Sequence, residues 1–373
     1  MRFIVSTSDL LNHLQNVAGV IPSKPVIPII ENFLFEIKSG LLTISVTDLE
    51  TSMTTSLKVE SDEDIVIAVP SKLCMDILRS LPDQPVTFSI DSQDNSIEIH
   101  SGTGRYKLAG QAGIDFPKIP EIESEKSFTI KAEILLNAIT NTVFATGTDE
   151  LRLNLTGIYV ELKEESISFV ATDANRLVKY SRNDVKPGVE QSFILPKKAA
   201  LLLKSSLPDS DAPVTIDFNK SNAFFGFKDT TLVCRFIEDR YPDYNAVIPK
   251  ENPNNLNIPR SEFYSAVRRV AILANKSTHQ MRLRIAGSEL TISAEDFDLS
   301  NEGVEKLACD YTGEDMEIGF NSKFLMDMLN GMAAELIRFE LSTPNRAGVI
   351  VPQVNEPGED VLMLVMPMML NNY

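Results

Sequence analysis

At 373 residues the chain is long enough for two or three domains, each able to bury its own core. Its hydrophobic and charged fractions, 43% and 23%, are those of a soluble globular protein, and no window approaches the roughly 18 consecutive apolar residues of a membrane-spanning helix. A net charge of −17 argues, as a sum, against nucleic acid as a partner, but a sum hides where the charges lie.

Along the chain, "FIVSTSDLLNHLQNV" from Phe3 reads as a short strand, a polar break and an amphipathic helix over 6–20. "LTISVTDLE" (42–50) alternates like a half-buried strand and stops at an acidic turn. "VPSKLCMDILRSL" (69–81) is a second helix, and "VTFSI" (86–90) and "RYKL" (105–108) return to strands. After the Pro- and charge-rich "DFPKIPEIESEKS" (115–127) the order begins again. It runs through "FTIKAEILLNAITNTV" from Phe128, "ISFVATDANR" (167–176), "LPKKAALLLKSSL" (195–207) and "VTIDF" (214–218). After "PKENPNNLN" (249–257) it begins a third time, with "LNIPRSEFYSAVRRV" from Leu256, "LTISAEDFD" (290–298), "FNSKFLMDMLNGM" (320–332) and "IRFEL" (337–341).

The second helices open at Val69, Leu195 and Phe320, so the step is 126 and then 125 residues, and the other markers keep it to within three residues. Such a period is one domain. The chain is expected to hold three, 1–122, 123–250 and 251–373, each with two helices backed by antiparallel sheets, an α+β class. Aligning the second helices stacks Leu73, Ala199 and Phe324, then Ile77, Leu203 and Met328, then Leu81, Leu207 and Met332. That stripe is expected to pack on the sheet, with Lys72, Lys198 and Lys323 just outside it.

Charge counted by segment changes the first impression. The first helices (6–20, 131–144, 260–275) carry −1, 0 and +2, and the second helices (71–81, 196–207, 322–332) carry +1, +3 and 0. Together they hold +5, leaving −22 for sheets, turns and linkers. Arg79, Lys197, Lys204, Arg268 and Arg269 all lie on helices. Helices facing one way would give the molecule a basic side and an acidic side.

A head-to-tail row of domains leaves one unmatched surface at each end, which closes as a ring or propagates. In the first domain, Tyr106 and Leu108 share one strand face, and Arg105 and Lys107 the other. In the third, Phe263, Val267, Val270, Ala271 and Ala274 form the helix stripe; Ile272 falls opposite it and Leu273 on its flank. Either these two meet a second chain, near the acidic Glu295, Asp296, Asp298, Glu302 and Glu305, or Ile272 lies under a loop of its own domain. A ring lined with basic helices would suit duplex DNA, whose phosphates lysine and arginine neutralise without reading sequence.

Other features are mostly negative. Cys74, Cys234 and Cys309 make neither a disulfide framework nor a zinc spacing and fit a reducing cytoplasm, and "MRFIVSTSDLL" lacks the apolar core of a secretory signal. Asp48, Asp173 and Asp296 would be the carboxylates of a metal-dependent nuclease or phosphatase. They recur once per domain, which points to turns, and His13, His100 and His279 make no metal spacing. "GTGRYK" (102–107) is no phosphate loop and reads as a hairpin turn. No metal, cofactor or catalysis is expected. Met366, Met368 and Met369 beside Pro367 are too apolar for a free tail: they are either an adaptable binding surface or a last strand closing the core.

The stretches "TDLE" (47–50), "ATDANRL" (171–177), "RYPDYNAVIPK" (240–250), "DMEIGFN" (315–321) and "VMPMML" (365–370) resemble the bacterial DNA polymerase III beta subunit, or beta sliding clamp, family, from residue 1 to about 370. The resemblance implies three clamp domains per chain, a head-to-tail homodimeric ring, helices around duplex DNA and no chemistry of its own. It implies DNA contacts at Lys24, Lys72, Arg79, Lys197, Lys198, Lys204, Arg268 and Lys323. A dimer interface is implied at Arg105, Tyr106, Lys107, Leu108, Ile272, Leu273, Glu295 and Asp298. It further implies a groove for short peptides of the polymerase alpha subunit, the ATP-driven clamp loader, other polymerases, ligase and mismatch-repair proteins. Its positions are Arg152, Leu155, Thr172, Asn175, Leu177, Pro242, Val247, Leu364, Met366, Pro367, Met368 and Met369. The chain departs from the family in three places. Met369 replaces an arginine and Asn371-Asn372-Tyr373 follow, Ala174-Asn175 replace Gly-His, and Lys24 replaces an arginine. The alternative is a triplicated cytoplasmic protein-binding scaffold that does not act on DNA.

Overall fold

The computed structural model describes residues 1–61, 63–122 and 126–370. Six helices follow the repeat in pairs: α1 (Thr7–Ala18) and α2 (Ser71–Ser80), α3 (Ala132–Thr142) and α4 (Lys197–Ser206), α5 (Arg260–Ala271) and α6 (Ser322–Gly331). Each follows directly on a strand. Pro70, Pro196 and Pro259 end the strands before α2, α4 and α5, where a residue without an N–H cannot extend the ladder and its fixed φ suits a helix start. Elsewhere a side chain caps the helix: Ser6 Oγ accepts from the Asp9 N–H, and Asn321 Oδ1 from the Lys323 N–H at 2.9 Å.

The chain forms two compact units, Met1–Ile134 with Lys198–Phe236, and Leu135–Lys197 with Ile237–Tyr373. The first holds a five-stranded sheet in the order 60–61, 2–6, 85–90, 96–101, 104–109. It also holds a nine-stranded sheet in the order 111–112, 65–70, 32–38, 41–47, 51–58, 230–235, 222–227, 213–218, 126–131. The second has a nine-stranded sheet in the order 191–196, 157–163, 166–172, 176–182, 359–365, 348–352, 336–341, 254–259, 310–312, and a four-stranded one of 301–308, 289–296, 280–286, 316–321.

The two long sheets explain why units and repeats differ. Strand 51–58 of the first repeat pairs antiparallel with 230–235 of the second, Met53 opposite Leu232. Strand 176–182 of the second pairs with 359–365 of the third, Leu177 opposite Leu364. Each ladder carries one repeat's sheet into the next, so the middle repeat is shared out. The expected boundary at 122 and 123 abuts 123–125, which lie outside the described residues.

Inside the first unit Phe3 stacks on Phe88 at 4.8 Å, and Phe35 of the long sheet meets both rings at 6.3 and 6.4 Å, closing one sheet over the other. Phe320 and Phe339, 5.4 Å apart, do the same between the two sheets of the second unit.

Two expectations about helix faces need correction. In α2 the buried residues are Cys74 and Leu78, while Leu73 is 55% exposed. In α6 Leu325, Met328 and Leu329 are buried and Phe324 is half-buried. In α2 the core stripe therefore starts one residue later than the alignment placed it, and in α6 only its first position misses, while along α4 Ala199, Leu203 and Leu207 are buried as expected. In α5 Phe263, Val267, Val270 and Ala274 are buried as expected, Ala266 joins them, and Ala271 lies at the margin. Among the described residues no helix is long and apolar enough to cross a membrane.

Candidate functional sites

The acidic turns come first, because the other features hang on them. Asp48 Oδ1 accepts from the N–H groups of Glu50 (3.0 Å) and Thr51 (2.6 Å), and Asp173 Oδ1 from those of Asn175 (2.9 Å) and Arg176 (3.1 Å). Asp296 Oδ1 accepts from the Asp298 N–H at 3.1 Å. These carboxylates close turns, each in its own repeat, and among the described residues no cluster could hold a metal ion. In two turns the residue after the aspartate is left-handed, Leu49 at φ +81° and Ala174 at φ +78°. Such a φ favours glycine.

On the helices, Lys72 and Lys323 are exposed at the second position of α2 and α6, and Lys204 and Arg268 are exposed on α4 and α5. Lys24 is exposed in the segment after α1, and Lys197 is half-buried. Arg79 pairs with Asp76 one turn earlier at 3.3 Å, on open surface. Lys198 departs from the expectation. Its ammonium donates to the Val20 carbonyl at 2.7 Å and to the Asp48 carboxylate, so part of its charge is already met inside the first unit. Near α6, burial and then the charges of Lys323 and Lys276 hold the His279 imidazole below its ordinary pKa.

The groove positions separate into floor and rim. Leu155, Leu177 and Leu364 are buried in one cluster with Val170, Ile194, Tyr241, Tyr244 and Ala347. Tyr241 stacks on Tyr159 at 4.7 Å, and Tyr244 donates to Glu161 at 3.2 Å. Burial and Glu161 push the Tyr244 phenol up to about 12, so it stays a donor. Thr172 Oγ1 donates to the Arg176 carbonyl at 2.6 Å, across the turn. Beside the turn opens a cavity of about 230 Å³ lined by Gly147, Thr148, Asp149, Arg152, Leu155, Asp173 and Asn175. Arg152 pairs with Asp149 at 2.9 Å within it. Pro242, Val247, Met366 and Met369 are exposed, and Pro367 and Met368 half-buried.

The last strand stops at Val365, so the methionines do not close the core as a strand. The tail is instead pinned along its backbone. The Met366 N–H donates to the Asn175 carbonyl and the Met368 N–H to the Gly319 carbonyl, both at 2.8 Å, and Gln280 Nε2 donates to the Met369 carbonyl at 2.8 Å. Sequence reasoning missed three members of this site. Tyr241 and Tyr244 sit inside a quoted motif, and their spacing around Pro242 could have marked them as floor. The third is Arg176, whose guanidinium is buried among Asp173, Asp327 and the Phe144 carbonyl. A buried arginine gives no local sequence signal.

At the chain's two unmatched surfaces lie sheet edges. Strand 104–109 is the edge of the five-stranded sheet, with Arg105 and Lys107 exposed, Tyr106 half-buried and Leu108 buried. Arg105 is clamped by Glu98. Strand 301–308 is an edge of the four-stranded sheet. Ile272 is 66% exposed at the end of α5, so no loop of its own domain covers it. Leu273 lies over Gly303, where an added Cβ would stand 2.9 Å from Leu273 Cδ1. Glu295 and Asp298 are exposed, as are Phe297 and Leu299, which the sequence reading passed over. Glu305 is engaged by Arg269.

Comparison with known proteins shows the family. Family models of the DNA polymerase III beta subunit match in order: the N-terminal domain at residues 1–120, the central domain at 129–243 and the C-terminal domain at 245–369. The beta sliding clamp of Haemophilus influenzae is 30% identical over 343 residues, 92% of this chain and 93% of that one. That of Escherichia coli is 29% identical over 372 residues, 99% and 100%. A sliding clamp of Bartonella birtlesii, solved bound to griselimycin, superposes with a TM-score of 0.93 at 30% identity, covering 99% and 100%. The chain belongs to the DNA polymerase III beta subunit family, the beta sliding clamps.

Proposed function

We propose that two copies of the chain close head to tail around duplex DNA, that the exposed helix lysines touch the phosphates, and that the groove at 152–177 and 364–369 captures partner peptides. The observation that carries the reading is the recurrence of one ladder at both internal seams. In the first seam Cys234 pairs with Thr51, and in the second Val365 pairs with Arg176. Thr51 and Arg176 are 125 positions apart, so one further step reaches Asn301; Cys234 taken back by 126 reaches Leu108. Both lie on unpaired sheet edges, which soluble proteins seldom leave open. The third seam, between copies, then sets Leu108 against Asn301, Lys107 against Glu302 and Tyr106 against Gly303, where Leu273 already lies. Opposite charges and an apolar centre meet there.

Lys24, Lys72, Arg79, Lys197, Lys204, Arg268 and Lys323 are the proposed phosphate contacts. Arg79 leaves its exposed partner at little cost. Such contacts carry no sequence information and allow sliding. The three turn aspartates are structural, which supports a protein without chemistry of its own, working in the cytoplasm with a polymerase, a loader, ligase and mismatch-repair proteins. Griselimycin, bound by the Bartonella clamp, is a proposed ligand here.

The register is tested by oxidising the Lys107→Cys, Glu302→Cys double variant. Facing residues on paired strands are within disulfide reach, so a covalent dimer is expected. Absence of cross-linking, with either single variant still dimeric, would refute the register.

A further inference from the structure

We infer that Arg176 and Asp327 form a brace that fixes the turn walling the groove, making them positioning residues for peptide capture; this rests on the groove reading above. Arg176 is 8% exposed. Its guanidinium donates through Nε to Asp173 Oδ2 (3.0 Å), through Nη1 to Asp327 Oδ2 (2.6 Å) and through Nη2 to the Phe144 carbonyl (2.7 Å). Two aromatic rings also meet it, with Cζ 4.6 Å from the Phe324 centroid and 5.4 Å from that of Phe144. A planar fork held by these bonds and rings has one orientation.

What it holds is the turn 172–176. The Arg176 N–H donates to Asp173 Oδ1, and the Arg176 carbonyl accepts from Thr172 Oγ1. Between them Ala174 occupies a left-handed backbone that an alanine resists, so the turn needs holding from behind. Its front supplies Asp173 and Asn175 to the cavity, and the Asn175 carbonyl anchors the tail at Met366. Phe324 and Asp327 come from α6 of the third repeat and meet the turn at Arg176.

The first seam argues that this is more than glue. The same three elements meet there, but the cation is Lys198 on the helix, the turn offers Asp48, and Thr51 stands where Arg176 would be. A lysine and an aspartate suffice to join repeats. The buried fork occurs at the seam that carries the cavity.

The test is fluorescence anisotropy with a fluorescein-labelled hexapeptide carrying leucine and phenylalanine anchors for the apolar floor, titrated with wild type, Asp327→Asn, Asp327→Glu and Phe324→Leu. Sedimentation and thermal melting are run alongside. Asp327 is 47% exposed, so its loss leaves the fold standing. Binding by Asp327→Asn is expected to weaken about tenfold with dimer and melting nearly unchanged, and Asp327→Glu to regain most of the loss. Phe324→Leu, which keeps both charges, is expected to weaken binding by a smaller factor. Wild-type binding matched within twofold by both Asp327→Asn and Phe324→Leu would overturn the brace. No binding by wild type would instead remove the groove reading, and the brace with it.

Discussion

Ala174 shows what one side chain costs in a left-handed turn. An L-residue in the left-handed region is disfavoured by about 1–2 kcal/mol, and glycine gives back about half of that as unfolded-state entropy. Ala174→Gly is expected to raise stability by about 0.5–1 kcal/mol, read as a higher denaturant midpoint with unchanged slope. His279 makes a second residue-level case. Its pKa is held below the ordinary value, by burial first and then by Lys323 and Lys276, so on acidification the unfolded chain takes up its proton before the folded one. Stability should fall as pH drops below about 6.5, the ordinary histidine value, and His279→Asn should reduce that dependence in melts from pH 7.5 to 5. Asparagine accepts the φ of +53° found there.

Among the elements, all six helices were legible, because apolar spacing, prolines and cap residues are local signals, and the apolar spacing recurs at steps of 125 to 128 residues. Helix faces were legible only to within one residue, as Cys74 in place of Leu73 shows. The pairing of 51–58 with 230–235 was not legible, since nothing in either strand names a partner some 180 residues away. The same holds for the groove. Its floor leucines came from resemblance, while Arg176 and the pinning of Met368 on Gly319 depend on tertiary contacts. The end of α5 carries its own expectation. Each exposed aliphatic buried at an interface contributes about 2 kcal/mol, so Ile272→Ala with Leu273→Ala should shift sedimentation from dimer toward monomer at micromolar concentration. An undisturbed dimer would place the interface elsewhere.

For the whole molecule, the net charge of −17 misleads as a guide to partners. The helices hold the positive balance, and family membership removes the scaffold alternative. Lys198 qualifies the picture, since a helix lysine can also serve a seam. What separates a clamp from any basic surface is topology: a closed ring leaves DNA only over an end. The direct measurement loads labelled protein onto a nicked circular plasmid with a clamp loader, isolates the complex by gel filtration, and then cuts the plasmid once. Co-elution with the circle and release on linearisation are expected. Retention on the linear plasmid, or no retention on the circle, would contradict enclosure of DNA.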